Sequence, residues 1–211
     1  MPVSVGRMLI SVAIDSFLRM KATPPMALKA TIYKAQLQIA DMDRNVYLNH
    51  PVTLARHPSE TDERMMIRLL ALAMNVQADS DHGQLEMAKG MWDQEEPDLW
   101  HKDLTGQVKH WIDVGQPDDK RLLKACPRAD KVSVYSFSHS TPVWWKSMES
   151  KISRAHNLNV WQIPADQSQA LAALAQRGMQ LQVTVQDEQV WFSDGDTSVE
   201  IQAIALRSAT A

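Results

Sequence analysis

The chain has 211 residues, 45% hydrophobic and 22% charged, with a formal net charge of −3. That length suits one domain with a real core, and the charge argues against a surface that grips nucleic acid over its whole extent, while leaving room for a local basic patch. The single cysteine, Cys126, excludes an intrachain disulfide and points to a reducing, cytoplasmic setting, and no apolar run reaches the ~18 residues of a bilayer span, so no membrane partner is expected.

Residues 1–25 stand apart. Arg7 and a short apolar run resemble a signal peptide faintly, but Asp15 interrupts the run and no small-residue cleavage pattern follows. An amphipathic helix, a disordered arm, or a translation start at Met26 are the other readings. The last is favoured because a strand pattern begins there, so one domain is expected over 26–211, as a monomer. Tyr33, Ala35, Leu37 and Ile39 alternate with polar residues, which predicts a half-buried strand. "VYLNHPVTLA" predicts one or two more, with Pro51 confining this segment to a sheet edge or bulge. A long helix follows, with Ser59 as expected N-cap and Met65, Met66, Leu69, Leu70, Leu72, Ala73 and Val76 as its apolar face.

"LEMAKGM" reads as a strand, "WDQEEPDLWHKDLTG" as an acidic loop and "QVKHWIDVG" as a strong strand. Pro117 is expected to open a helix at its first position, with Asp118 and Asp119 in the first turn and Leu122, Leu123 and Cys126 as its buried stripe. "KVSVYSF" and "LNVWQIP" predict strands, and "TPVWWKSMESKISRA" and "DQSQALAALAQ" predict helices. "MQLQVTVQDEQVWFSD" and "TSVEIQAIALR" close the chain as antiparallel strands. The expected fold is mixed α/β, with helices flanking a central mixed sheet.

The acids carry the functional question. Cutting a phosphodiester with Mg²⁺ takes two or three carboxylates, because hard cations prefer oxygen, and a nearby lysine to steady the developing charge. Asp98 follows Pro97 in a loop, Asp113 ends a strand, and Glu63 lies at the margin of the long helix's buried face. Glu60, one turn earlier, reads as more solvent-facing. Three have plainer readings, Glu60 and Glu63 as helix N-terminal acids and Asp98 as part of a wet acidic loop, while Asp113, ending a strand among apolar neighbours, is the hardest to dismiss. Arg56 reads equally as a solvated arginine or a phosphate clamp. Trp144 and Trp145 read as core rather than a stacking platform for bases. The seven histidines show no zinc spacing.

"MALKATIYKA", "DRNVYLNHPVTLARHPSETDERMMIRLLA", "WIDVGQPDDKRLLKAC" and "NLNVWQIP" resemble the YaeQ family from Met26 to near the C-terminus. The order helix acid, Pro-Asp, strand acid resembles the PD-(D/E)XK nuclease-like superfamily. The resemblance implies a restriction-endonuclease-like core with added antiparallel strands, Mg²⁺ held by Glu60, Glu63, Asp98 and Asp113, and cleavage of nucleic acid by Asp98 and Asp113. Arg56 and Arg121 would bind the substrate. The pattern wants acid-x-lysine at the strand end, and here Gly115 stands where the lysine would be. Lys120 or Lys124, on the next helix, would then bring an ammonium to Asp113, with Lys120 nearer. The alternative implied by that glycine is a non-catalytic member that binds nucleic acid or a protein partner.

Overall fold

Asp41 to Asn45 turns the chain between two long strands, β1 (Thr31–Asp41) and β2 (Val46–Arg56), paired antiparallel along their whole length. Asn45 takes the left-handed backbone, φ 55°, that lets the turn close. The computed structural model describes residues 29–210, so the expected extension over residues 1–25 lies outside the described residues. Tyr33, Ala35, Leu37 and Ile39 are buried as their alternation predicts, and β2, with Pro51, is the edge of its sheet.

The chain continues through α1 (Asp62–Asn75), β3 (Gln84–Met87), β4 (Leu99–Lys102), β5 (Val108–Val114), α2 (Asp119–Ala125) and β6 (Lys131–Phe137). It ends with α3 (Thr141–Met148), β7 (Leu158–Ile163), α4 (Ala165–Ala172), β8 (Gly178–Gln186), β9 (Gln189–Ser193), β10 (Ser198–Gln202) and β11 (Ile204–Arg207). The fold is mixed α/β, as expected, but its strands divide into two mixed sheets rather than gathering in one. The first has the order β10-β9-β8-β1-β2 and the second β11-β7-β6-β5-β4-β3. In the first only β1 and β8 run parallel; in the second β5, β6 and β7 do. Among the described residues no helix is long and apolar enough to cross a membrane.

Met65 to Ala73 are buried without a break, so α1 is enclosed on all sides rather than on one stripe. One core joins it to Leu37, Leu54, Val183 and Phe192 of the first sheet, Leu99, Ile112 and Val114 of the second, and Leu171 of α4. A second core covers the other face of the second sheet, where Leu122, Met148 and Ile152 meet Val132, Val134 and Val160. Each fully buried leucine here contributes roughly 1.5–3 kcal/mol of transfer free energy.

Several local expectations shift. The N-cap of α1 is Thr61, whose hydroxyl accepts from Arg64 N; Ser59 lies in the turn before it. The "acidic loop" contains β4, whose four residues alternate buried and half-buried within a charged context that hides the pattern. Asp118, not Pro117, sets the start of α2, its carboxylate accepting from Arg121 N. Leu123 is 43% exposed and Cys126 only half-buried, because the buried face of α2 runs through Leu122 and Ala125 instead. Trp144 and Trp145 pack half-buried against the second core, as core residues do.

Candidate functional site

The cleft lies at the carboxyl end of β5, where an open α/β sheet places its ligands. Pro97 leads Asp98 to the start of β4, and Asp98 N donates to Ile112 O at 3.0 Å, fixing it beside the end of β5. Gly90 closes over it from the preceding turn with φ +51°. A Cβ there would stand 2.5 Å from Asp98 Oδ1, so only glycine leaves room for the carboxylate.

Both acids are almost wholly buried, 2% exposed each, and both are held by arginines. Arg64 Nη2 donates to Asp98 Oδ1 at 2.7 Å and Oδ2 at 2.8 Å, and Val114 N donates to Oδ2 at 2.7 Å. Arg121 grips Asp113 at two points, Nε to Oδ2 at 3.0 Å and Nη2 to Oδ1 at 2.7 Å, and Trp111 Nε1 adds a third donor at 3.1 Å. Arg121 is itself fixed by the carbonyls of Gln94, at 2.6 Å, and Glu96, at 2.8 Å. Burial pushes the Asp113 carboxyl above its ordinary range against the pull of Arg121, and the Asp98 charge nearby pushes the same way. With Gln94, Gln116 and Pro117 these residues line a cleft of about 340 Å³. The Gln116 amide donates to Ser140 Oγ at 2.8 Å on its rim.

The structure brings Asp98, Asp113 and Arg121 together and sends the other expected residues elsewhere. Glu60, read as solvent-facing, is 4% exposed, because it precedes the helix and escapes helical phase. Arg64 Nη1 donates to it at 2.9 Å. Glu63 turns to α4, where Ser168 Oγ donates to it at 2.5 Å. Lys120 is exposed, and Lys124 Nζ pairs with Glu95 at 2.5 Å, so the expected approach of a lysine to Asp113 is made by Arg121 instead. Arg56 Nη1 pairs with Asp62 at 2.5 Å and lies over the Tyr33 ring. Arg64 and Gln116 are the cleft residues that sequence reasoning missed; Arg64 was legible only as a cation beside a run of buried methionines. Gly115 has φ +104°, a conformation in which a lysine would be strained, so the turn out of β5 disfavours at this position the lysine of the superfamily pattern.

Mg²⁺ demands near-octahedral oxygen at ~2.0–2.1 Å. Among the described residues no three His, Cys, Asp or Glu side chains stand together as a metal group, and both cleft carboxylates are already taken by guanidinium. In this arrangement the residues do not fit the ion.

Residues 26–203 match the model of the family described as YaeQ protein. The YaeQ protein of Salmonella typhi is 42% identical over 181 residues, 85% of this chain and 97% of that protein. The crystal structure of YaeQ from Xanthomonas axonopodis pv. citri superposes with a TM-score of 0.79 at 43% identity, covering 85% of this chain and 99% of that one. The YaeQ structure from Pseudomonas syringae gives 0.79 at 36% identity, covering 85% and 97%.

Proposed function

The chain belongs to the YaeQ family, and on that premise we propose that it binds nucleic acid, taking a backbone phosphate at the Asp98–Asp113 cleft without Mg²⁺ and without cleaving the strand. One observation carries this reading. The carboxylate side chains are 2% exposed, whereas those of Arg64 and Arg121 are 17% and 24% exposed. What a ligand meets in the cleft is therefore guanidinium, with the acids behind as anchors.

The donor inventory supports it. Four of the five Arg121 N–H groups are spent on Asp113 and the two carbonyls, and Arg64 Nε is without a partner among the described residues. Each arginine so keeps at least one N–H for an incoming oxygen, and guanidinium matches phosphate well. The resemblance to the PD-(D/E)XK nuclease-like superfamily supports nucleic acid as the source of that phosphate. The net charge of −3 favours a small footprint. The lone Cys126 supports a reducing, cytoplasmic setting.

A second reading, Mg²⁺-dependent cleavage, is favoured by one observation: Asp98 and Asp113 line a single cleft. It requires both acids to be released from their arginines. The two readings separate when a labelled oligonucleotide is incubated with the protein in EDTA and in Mg²⁺, and both binding and strand length are followed. Binding in EDTA, with the strand intact in both buffers, is expected. Shortening of the strand in Mg²⁺ that disappears in Asp113→Ala would establish the nuclease instead.

A further inference from the structure

A second cavity, of about 310 Å³, opens where the two sheets face each other edge to edge. Thr53, Leu54 and Ala55 of the edge strand β2 form one wall, and Glu86, Met87 and Ala88 of the edge strand β3 and its continuation form the other. Trp92, Glu96 and Trp100 line it too, and α1 contributes Arg68. Trp92 is held in place, its Nε1 donating to Ala55 O at 3.5 Å and its ring meeting His57 edge-on.

Arg68 is the anomaly. It is 3% exposed, and its Nε and Nη2 are buried with no hydrogen-bond partner among the described residues. Glu60 Oε1 stands 3.2 Å from Nε, but off the N–H direction, so it compensates charge without accepting a hydrogen bond. That same oxygen already accepts from Arg64. Buried polar groups are almost always satisfied, and a guanidinium carries five donors, so a buried arginine with unspent donors beside a cavity can take an anion from it.

We propose that this cavity is a second ligand site, separate from the Asp98–Asp113 cleft, for a small organic monoanion. Its carboxylate would meet Arg68 and its flat apolar body would lie among Leu54, Met87, Trp92 and Trp100. The volume is at the lower end of small-molecule sites, which limits the ligand to a compact one. The charge is limited as well. Glu86 and Glu96 line the cavity and would repel a dianion, and Lys89 is occupied by Glu96 at 2.8 Å and Asp93 at 3.5 Å. A carboxylate therefore fits better than a phosphate. The apolar walls need an apolar body, which the tryptophan faces can flank.

The probe is benzoate, with neutral benzamide of the same shape as its control, titrated calorimetrically against the described protein in its full-length form. Benzoate is expected to bind saturably and at least tenfold more tightly than benzamide. Arg68→Met should abolish that binding. Because removing a buried charge can unsettle the fold, Thr53→Trp, at an exposed cavity-wall position, gives an independent plug and should abolish it too, with an unchanged melting curve. Gln116→Ala, a change on the rim of the cleft, should leave benzoate binding intact, which separates this site from the cleft. Absence of saturable benzoate binding at millimolar concentrations, equal binding of benzamide, unchanged binding in Thr53→Trp, or loss in Gln116→Ala would each overturn the proposal.

Discussion

The two ends of the β4–β5 pair bury polar side chains to similar depth and treat them in opposite ways. At one end Asp98 and Asp113, each 2% exposed, are met by arginines from α1 and α2. Three residues away His101 and His110, opposite each other in register and each 9% exposed, meet no counter-charge among the described residues. His110 Nε2 has only Ser133 Oγ, at 2.8 Å, and His101 Nε2 has no partner among the described residues. Burial, helped by Lys131 and His101, pushes the His110 pKa down to about 3. Depth alone does not decide charge; the arrival of a partner does. Only the end that receives two guanidiniums becomes a place where a charged ligand has something to bind.

The largest effect is expected when a partner is stripped from the charged end. Asp98→Ala takes the carboxylate from Arg64, which keeps Glu60 and Val114 O as acceptors, and leaves Val114 N without its partner in a buried site. Breaking one half of a buried pair costs roughly 3–5 kcal/mol, which denaturant unfolding would read. A loss below about 1 kcal/mol would show that the arginine does not depend on that acid.

The histidine end predicts a smaller, pH-dependent effect. The folded imidazole of His110 protonates near 3 and the unfolded one near 6.5, so between these values the unfolded state binds more protons. The stability from its neutral burial is whole above 6.5 and is lost as the pH falls. Between pH 7 and pH 5 the loss attributable to His110 is about 2 kcal/mol. It should be missing from the difference curve of His110→Asn. Parallel curves for the two proteins would show that this imidazole titrates normally.

Asp113 should give the opposite sign. Its folded pKa is raised, so above the unfolded value the unfolded state ionises first, and stability is lost as the pH rises through the folded pKa. Asp113→Asn should flatten that part of the profile, and an unchanged slope would contradict it. The smallest effects are expected outside both ends. Lys120→Met and Lys124→Met should leave oligonucleotide affinity within about twofold, because neither lysine reaches the cleft. A larger loss in either would restore the lysine as a member of the site.

Where the pattern is regular, the sequence was a good guide. β1, β2, β5 and β6 were readable from alternation or apolar runs, and Pro51 marked an edge. The positions of Asp98 and Asp113 were readable from their order along the chain. The partners were not. Arg64 reaches Asp98 across 34 residues, and Glu60 owes its burial to a turn at His57 that shifts the helix start to Asp62. The two-sheet division was illegible because it depends on β1 pairing in parallel with β8, a contact between segments far apart in the chain. Gly115 read as a missing lysine, whereas its positive φ makes it the residue the turn requires.

The salt dependence of oligonucleotide affinity, measured in EDTA for the wild type and Arg121→Ala, reads out whether the cleft arginine takes a backbone phosphate. If Arg121 takes a backbone phosphate, the variant binds roughly 10–100-fold more weakly, the cost of one charge-assisted contact. Its slope of log affinity against log salt is then shallower by about 0.7, the counterion share of one single-strand phosphate. Identical affinities and slopes for the two proteins, or wild-type binding that needs Mg²⁺, would contradict a cleft that binds phosphate through its arginines alone.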